Sequence, residues 1–117
     1  MLIADDEPDM RALIAHVLRA EDIDVVGEAA NAEETLACWR ELAPDVIVLD
    51  QRMPPTTGLE VAATILGEDP GQVVVLFTAF VEPEIRSEAE RVGIAACISK
   101  DQVFEIPELM RTHISPK

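Results

Sequence analysis

The chain has 117 residues, 49% of them hydrophobic, and we expect residues 1–117 to form one domain with a buried core. Its 23 acidic residues outnumber 9 lysines and arginines, which gives a formal net charge of -14. This surplus argues against binding to nucleic acid or to an anionic membrane, because both would repel the chain. The sequence has no signal-peptide pattern and no apolar run near the roughly 20 residues that span a bilayer, so we expect a cytoplasmic protein.

The first half of the chain alternates short apolar runs with amphipathic helical patterns. The apolar spacing of three and four residues after Met10 predicts a helix, and Asn31 is a suitable N-cap for the next one. The β-branched run at residues 46–49 is typical of a strand that is buried on both faces. The predicted elements are strands at 2–4, 25–26 and 46–49, and helices at 10–18 and 32–42.

The second half of the chain repeats this alternation after a loop rich in proline at residues 52–58. Apolar runs predict strands at 73–77 and 95–98, and helical patterns begin near Leu59, Pro83 and Pro107, the last running to about Ile114. Five strands that alternate with five helices predict an α/β fold, a doubly wound parallel sheet with helices on both faces.

The two cysteines, Cys38 and Cys97, form neither a disulfide framework nor a zinc motif. Cys38 falls in a helical pattern and Cys97 in a short apolar run. We therefore expect two buried thiols that stay reduced, as in the cytoplasm.

Polar residues follow four of the predicted strands at the point where each strand ends. Asp5 and Asp6 follow the first strand, Asp50 the third, Thr78 the fourth and Lys100 the fifth. Because a parallel sheet aligns the carboxyl ends of its strands, where ligands bind, we expect these side chains to converge.

Three carboxylates and one ammonium at a single edge predict a cation site. Two like charges about 5 Å apart repel by roughly 3 kcal/mol at an effective dielectric near 20, so the cluster favours a cation. Oxygen ligands suit Mg²⁺, which also binds phosphate oxygens; a solvated acidic rim without metal is the alternative. Asp50, which stands alone and central, is the better candidate for a nucleophile that forms an aspartyl phosphate, and Asp5-Asp6 for the cation holder.

At these residues the chain resembles the receiver domain of bacterial two-component response regulators. The resemblance covers nearly the whole chain and rests on the stretches 3–8, 48–54 with Gly58, 78–79 and 99–100. It implies a flavodoxin-like (βα)5 fold with strand order 2-1-3-4-5. The stretch 26–29 and the Lys100-Asp101 pair are most similar to the branch that carries helix-turn-helix DNA-binding outputs, which implies a part in transcription regulation.

The resemblance also implies a role for each residue of the predicted site. Asp50 would accept a phosphoryl group, Lys100 and Thr78 would bind it, and the loop after Thr78 would move inward. Mg²⁺ would be held by Asp5, Asp6, Asp50 and the backbone carbonyl of Arg52. Asp6 would bind the ion more directly than Asp5.

The partners implied by the resemblance are a sensor histidine kinase or a phosphotransfer protein, with a second copy of the chain as a possible partner. Arg52 and Phe80 occupy positions that help to set phosphoryl lifetime in this family. Such a domain catalyses only its own phosphoryl acceptance and loss, so we do not expect an enzyme in the usual sense.

The sequence departs from the family pattern at three places. Cys97 stands where an aromatic residue usually rotates on phosphorylation, Asp101 stands where proline is commonest, and residues 103–106 lengthen the connection before Pro107. Cys97 keeps open a second hypothesis, a pseudo-receiver that binds a partner without phosphorylation.

Two other functions that use a similar fold are disfavoured by single residues. A hydrolase of the haloacid-dehalogenase type needs a second acid two residues after the nucleophile, where this chain has Arg52. A flavodoxin-type flavin site is disfavoured because Asp5, Asp6 and Glu7 would repel the flavin phosphate.

Overall fold

The computed structural model describes residues 1–113, without the side chains of residues 110, 112 and 113. Five parallel strands form one sheet in the order β2-β1-β3-β4-β5, which confirms the predicted flavodoxin-like fold. The strands are β1 Leu2–Ala4, β2 Gly27–Ala29, β3 Val46–Asp50, β4 Val73–Thr78 and β5 Ala96–Ser99. The helices are α1 Pro8–Ala20, α2 Ala32–Leu42, α3 Gly58–Glu68, α4 Pro83–Val92 and α5 Ile106–His113, with a 3-10 helix at Lys100–Glu105 before α5.

Helices cover both faces of the sheet. Alternate residues of the central strands point to opposite faces and pack against these helices. Ile47 and Leu49 of β3 pack into a cluster with α2, α3 and α4, whereas Val46 and Val48 pack into a second cluster with α1 and the C-terminal helices. All five residues of β3 are buried, as predicted for a strand between two helical layers. Each such buried valine, leucine or isoleucine stabilises the fold by about 1.5–3 kcal/mol.

The second strand lies at residues 27–29 and not at 25–26, so this prediction was wrong. The register pairs Leu2 with Gly27 and Ala4 with Ala29, while Val26 precedes the strand with 47% of its surface exposed. Because β2 is an edge strand, it buries less apolar surface than β3, and its position does not follow the most hydrophobic dipeptide.

The observed ends of α2 and α4 and the start of α5 agree with the sequence. Asn31 caps α2 by accepting a hydrogen bond from the Glu34 N–H at 2.8 Å, and Gly93 ends α4 at a φ of 96°. After β5 the chain forms the 3-10 helix, which buries Val103, before α5 begins one residue ahead of Pro107. Ile114, the predicted end of α5, lies outside the described residues.

Both cysteines are free thiols. They were predicted to be buried, but both are partly exposed. Cys38 lies on α2 and Cys97 on the edge strand β5, so each packs against the core from one side only. Within residues 1–113, no helix has the length and hydrophobicity needed to cross a bilayer.

Candidate functional site

The structure brings the predicted polar residues together at the carboxyl edge of the sheet. Asp5 follows β1, Asp50 ends β3, Thr78 ends β4 and Lys100 follows β5. The Nζ atom of Lys100 lies 3.2 Å from Oδ1 of Asp50 and 3.4 Å from Oδ2 of Asp5. Residues from three strand ends therefore share one ion-pair network.

Asp5, Asp6 and Asp50 form a carboxylate cluster that fits a hard cation. Each offers a ligand oxygen, and these oxygens all lie within 4.8 Å of one another. Among the described residues, the buried oxygens Asp5 Oδ2, Asp6 Oδ1 and Asp50 Oδ2 accept no hydrogen bond, although Asp5 Oδ2 faces the ammonium of Lys100. Buried acceptors without donors are costly, and coordination by Mg²⁺ would satisfy such oxygens.

Burial and mutual repulsion alter the acidity of the charged groups in this cluster. Burial, and next the negative charge of Asp5, raise the pKa of Asp50 to about 6, although Lys100 and the Arg52 backbone oppose the shift. Burial lowers the pKa of Lys100, but the charges of Asp50 and Asp5 outweigh it, so that this pKa lies above its ordinary value. Lys100 therefore carries a positive charge at neutral pH.

The backbone and side chain of Asp5 are held by three hydrogen bonds. Its N–H donates to the carbonyl of Ala29 at 3.0 Å, and its Oδ1 accepts from the N–H of Glu7 at 2.9 Å. Its carbonyl accepts from Nη1 of Arg11 at 2.7 Å. Arg11 was not predicted from the sequence, because its contact runs from α1 back across the loop that follows β1.

The loop that follows Asp50 is folded back by Gln51 and Gly58. It forms a two-stranded antiparallel hairpin that pairs Arg52 with Thr57. The backbone carbonyl of Gln51 accepts a hydrogen bond from the Gly58 N–H, and the side-chain Oε1 of Gln51 accepts one from the Leu59 N–H, each at 2.9 Å. A Cβ on Gly58 would lie 2.3 Å from the carbonyl oxygen of Asp50, so only glycine fits here without a backbone shift. Gln51 was also missed, because its contact joins a side chain to the backbone of a residue eight positions later and leaves no pattern in the sequence.

An open cleft of about 260 Å³ leads from solvent to this cluster. Asp50 and Thr78 lie at the cleft and are 2% and 7% exposed, while Phe80 at its rim is 75% exposed. The Asp50 carboxylate is thus recessed, yet it lines a cleft that is open to solvent.

The family model for the response regulator receiver domain matches residues 1–112. The chain belongs to this family. Receiver domains are signalling domains of two-component response regulators, which interact with histidine kinases and phosphotransfer proteins.

Relatives of this receiver domain include both short and long proteins. It is 34% identical over 112 residues to the chemotaxis protein CheY of Listeria monocytogenes, covering 92% of this chain and 94% of that one. It is 33% identical over 110 residues to the transcriptional regulatory protein PdtaR of Mycobacterium tuberculosis, covering 94% of this chain but 52% of PdtaR. A crystal structure of a DNA-binding response regulator of the LuxR family from Staphylococcus aureus matches with a TM-score of 0.88 and 25% identity, covering 96% and 95% of the two chains. The last match agrees with the resemblance to the branch with DNA-binding outputs.

Cys97 is one of the three positions where the sequence departs from the pattern that the resemblance implies. It lies half-buried on β5 against the cluster that underlies α4, and burial raises the pKa of its thiol. The thiol has no ring that could rotate between the core and solvent.

Proposed function

We propose that this receiver domain is a phosphoacceptor switch that takes a phosphoryl group onto Asp50 from a sensor histidine kinase or a phosphotransfer protein. One observation carries the proposal. Asp5, Asp6 and Asp50 cluster at one edge of the sheet beside an open cleft, each with one buried oxygen that accepts no hydrogen bond, and the ammonium of Lys100 contacts Asp5 and Asp50 there. This combination suits a dication and a phosphoryl group better than it suits water alone.

The oxygen ligands at this site fit Mg²⁺, which is the proposed cofactor. The ion would be held by Asp5, Asp6, Asp50 and the backbone carbonyl of Arg52. Of Asp5 and Asp6, Asp6 would be the more direct ligand. When bound, the ion offsets the charge of the carboxylates and of the phosphoryl oxygens.

The proposed reaction is one phosphoryl transfer between a nitrogen and an oxygen. A carboxylate oxygen of Asp50 bonds to phosphorus while the phosphorus–nitrogen bond of the donor's phosphohistidine breaks, and the imidazole leaves with that electron pair. Lys100 and the hydroxyl of Thr78 bind the phosphoryl oxygens, where negative charge is spread. The domain catalyses only this acceptance and the later hydrolysis of its own aspartyl phosphate.

The proposed output is a change of the surface next to the site. The hydroxyl of Thr78 would move toward the phosphoryl group and bring with it the loop that carries Phe80. Because Phe80 is 75% exposed, its movement would alter an apolar contact point for a partner or for a second copy of the chain. In a longer protein with a DNA-binding output, the same movement would regulate transcription.

The switch is tested by backbone amide chemical shifts with Mg²⁺ and beryllofluoride, which mimics an acyl phosphate. We expect shifts at Thr78, Ala79 and Phe80 in the natural chain and in Asp45→Asn, an exposed position just ahead of β3. We expect none with Asp50→Asn. Unchanged amides after Thr78 in the natural chain would contradict the proposal.

A pseudo-receiver that acts without phosphorylation is the second candidate, and Cys97 at the usual aromatic position is the observation that favours it. It would keep the fold and a partner surface but would not use the carboxylate cluster. Absence of both Mg²⁺ binding and beryllofluoride binding would favour this candidate over the switch.

A further inference from the structure

We infer that Arg11 is a positioning residue that fixes Asp5 for phosphoryl transfer, an inference that rests on the proposed function. Nη1 of Arg11 donates to the Asp5 carbonyl at 2.7 Å, and Nε of Arg11 lies 3.5 Å from Oε1 of Glu28. The Arg11 side chain is only 19% exposed. It thus connects the loop that carries the cation ligands to the edge strand β2.

With the hydrogen bond from Arg11, all but one of the polar atoms of Asp5 have a hydrogen-bond partner. The N–H, the carbonyl and Oδ1 of Asp5 each have a hydrogen-bond partner, in Ala29, Arg11 and Glu7 respectively. Only Oδ2 has none, and it faces Lys100 at 3.4 Å. With Arg11 in place, the oxygen that Asp5 presents to the cluster has little freedom to turn away.

The guanidinium is suited to this task because it is a rigid fork. It binds a carbonyl and a carboxylate with different nitrogens at the same time, which the single ammonium of a lysine cannot do in the same geometry. Glu28 therefore orients Arg11, and Arg11 in turn orients the backbone of Asp5.

The positive charge of Arg11 disfavours Mg²⁺ binding, whereas its hydrogen bond to the Asp5 carbonyl favours the reaction. The charge repels a bound cation, so its removal alone would strengthen Mg²⁺ binding. Loss of the hydrogen bond would instead loosen the loop and slow the reaction, since small displacements of a reacting geometry are costly. The rate at saturating Mg²⁺ isolates the second effect, because affinity no longer limits it.

The test measures the rate of phosphorylation by acetyl phosphate at saturating Mg²⁺. We expect Arg11→Met, which keeps the apolar stem, to lower this rate between about tenfold and about 100-fold. Arg11→Lys should restore part of the loss, because it can still donate to the Asp5 carbonyl. Arg19→Met removes one charge from the exposed side of the same helix and should leave the rate unchanged.

An Arg11→Met protein that melts cooperatively and reacts at the natural rate would overturn the inference. If that variant does not fold, Glu28→Met replaces it, because this change removes the oxygen that orients Arg11 and leaves Arg11 and Asp5 intact. A natural rate in Glu28→Met and in Arg11→Lys would then overturn the inference. A natural chain that takes up no phosphoryl group would instead contradict the proposed function itself, so the two failures are distinguishable.

Discussion

The ammonium nitrogen of Lys100 lies 3.2 Å from Oδ1 of Asp50 at the carboxyl edge of the sheet. Asp50 is only 2% exposed there. The side chain of Lys100 is itself only 15% exposed. Removing Lys100 would leave the buried carboxylates of Asp5 and Asp50 without a compensating charge, which is more costly than losing an ion pair at the surface. Lys100 therefore contributes to folding as well as to the proposed chemistry.

Lys100→Met is expected to destabilise the protein without Mg²⁺ by roughly 3 kcal/mol, as measured by urea unfolding at pH 7. Arg91→Met is the matched control, because Arg91 pairs with Glu88 at the surface, where 71% of its side chain is exposed. That control should change stability little. Equal effects of the two substitutions would show that the pair at the site is not structurally important.

Asp50→Asn is expected to stabilise the protein without Mg²⁺ at pH 7, since it removes a buried charge that Asp5 repels. The pKa of Asp50 in the folded state, about 6, lies above its ordinary value of 3.8, so the folded state binds the proton more tightly. The cost of the charge is therefore complete above about pH 6 and is lost as the pH falls toward 4. Thermal melts should show the advantage of Asp50→Asn shrinking over this range, and an advantage independent of pH would contradict the assignment.

Mg²⁺ is expected to raise the melting temperature of the natural chain. A ligand that binds only the folded state adds about 2.7 kcal/mol at a hundredfold excess over its Kd. Asp6→Asn should reduce this gain, because it removes one of the three clustered carboxylates, whereas the exposed change Asp9→Asn should leave it intact. No rise with millimolar Mg²⁺ would argue against the cation site.

Gly58→Ala is expected to destabilise the protein by about 1–3 kcal/mol, because its Cβ would meet the Asp50 carbonyl oxygen at 2.3 Å. Gly67→Ala is the matched control on the same helix, since a Cβ there would have no atom within 4 Å. This control should stabilise the helix by up to about 1 kcal/mol. Urea unfolding compares the two, and a neutral Gly58→Ala would contradict the close approach.

The sheet and the convergence at its edge could be predicted from the sequence, because both follow from the order of buried strands. The continuous apolar run of β3 has few alternatives, and Asp50 follows it directly. The edge strand β2 could not be located as well, because Gly27–Ala29 has low strand propensity and is set by its register with β1.

The residues that support the site could not be predicted, because their contacts leave no periodic pattern. Arg11 reaches an Asp5 carbonyl across the β1–α1 loop, and Gln51 reaches the N–H of Leu59 across the hairpin. Each contact joins a side chain to a backbone group, and nearly all residue types carry the same backbone groups. Only the coordinates reveal such partners.

The most direct test of the central claim is to locate the phosphoryl group after treatment with acetyl phosphate and Mg²⁺. Mass mapping of the natural chain and of Asp45→Asn is expected to find one phosphoryl group, on the peptide that contains Asp50. Asp50→Asn is expected to take up none. A phosphoryl group retained by Asp50→Asn, or one located on another residue such as the exposed His16, would contradict the account.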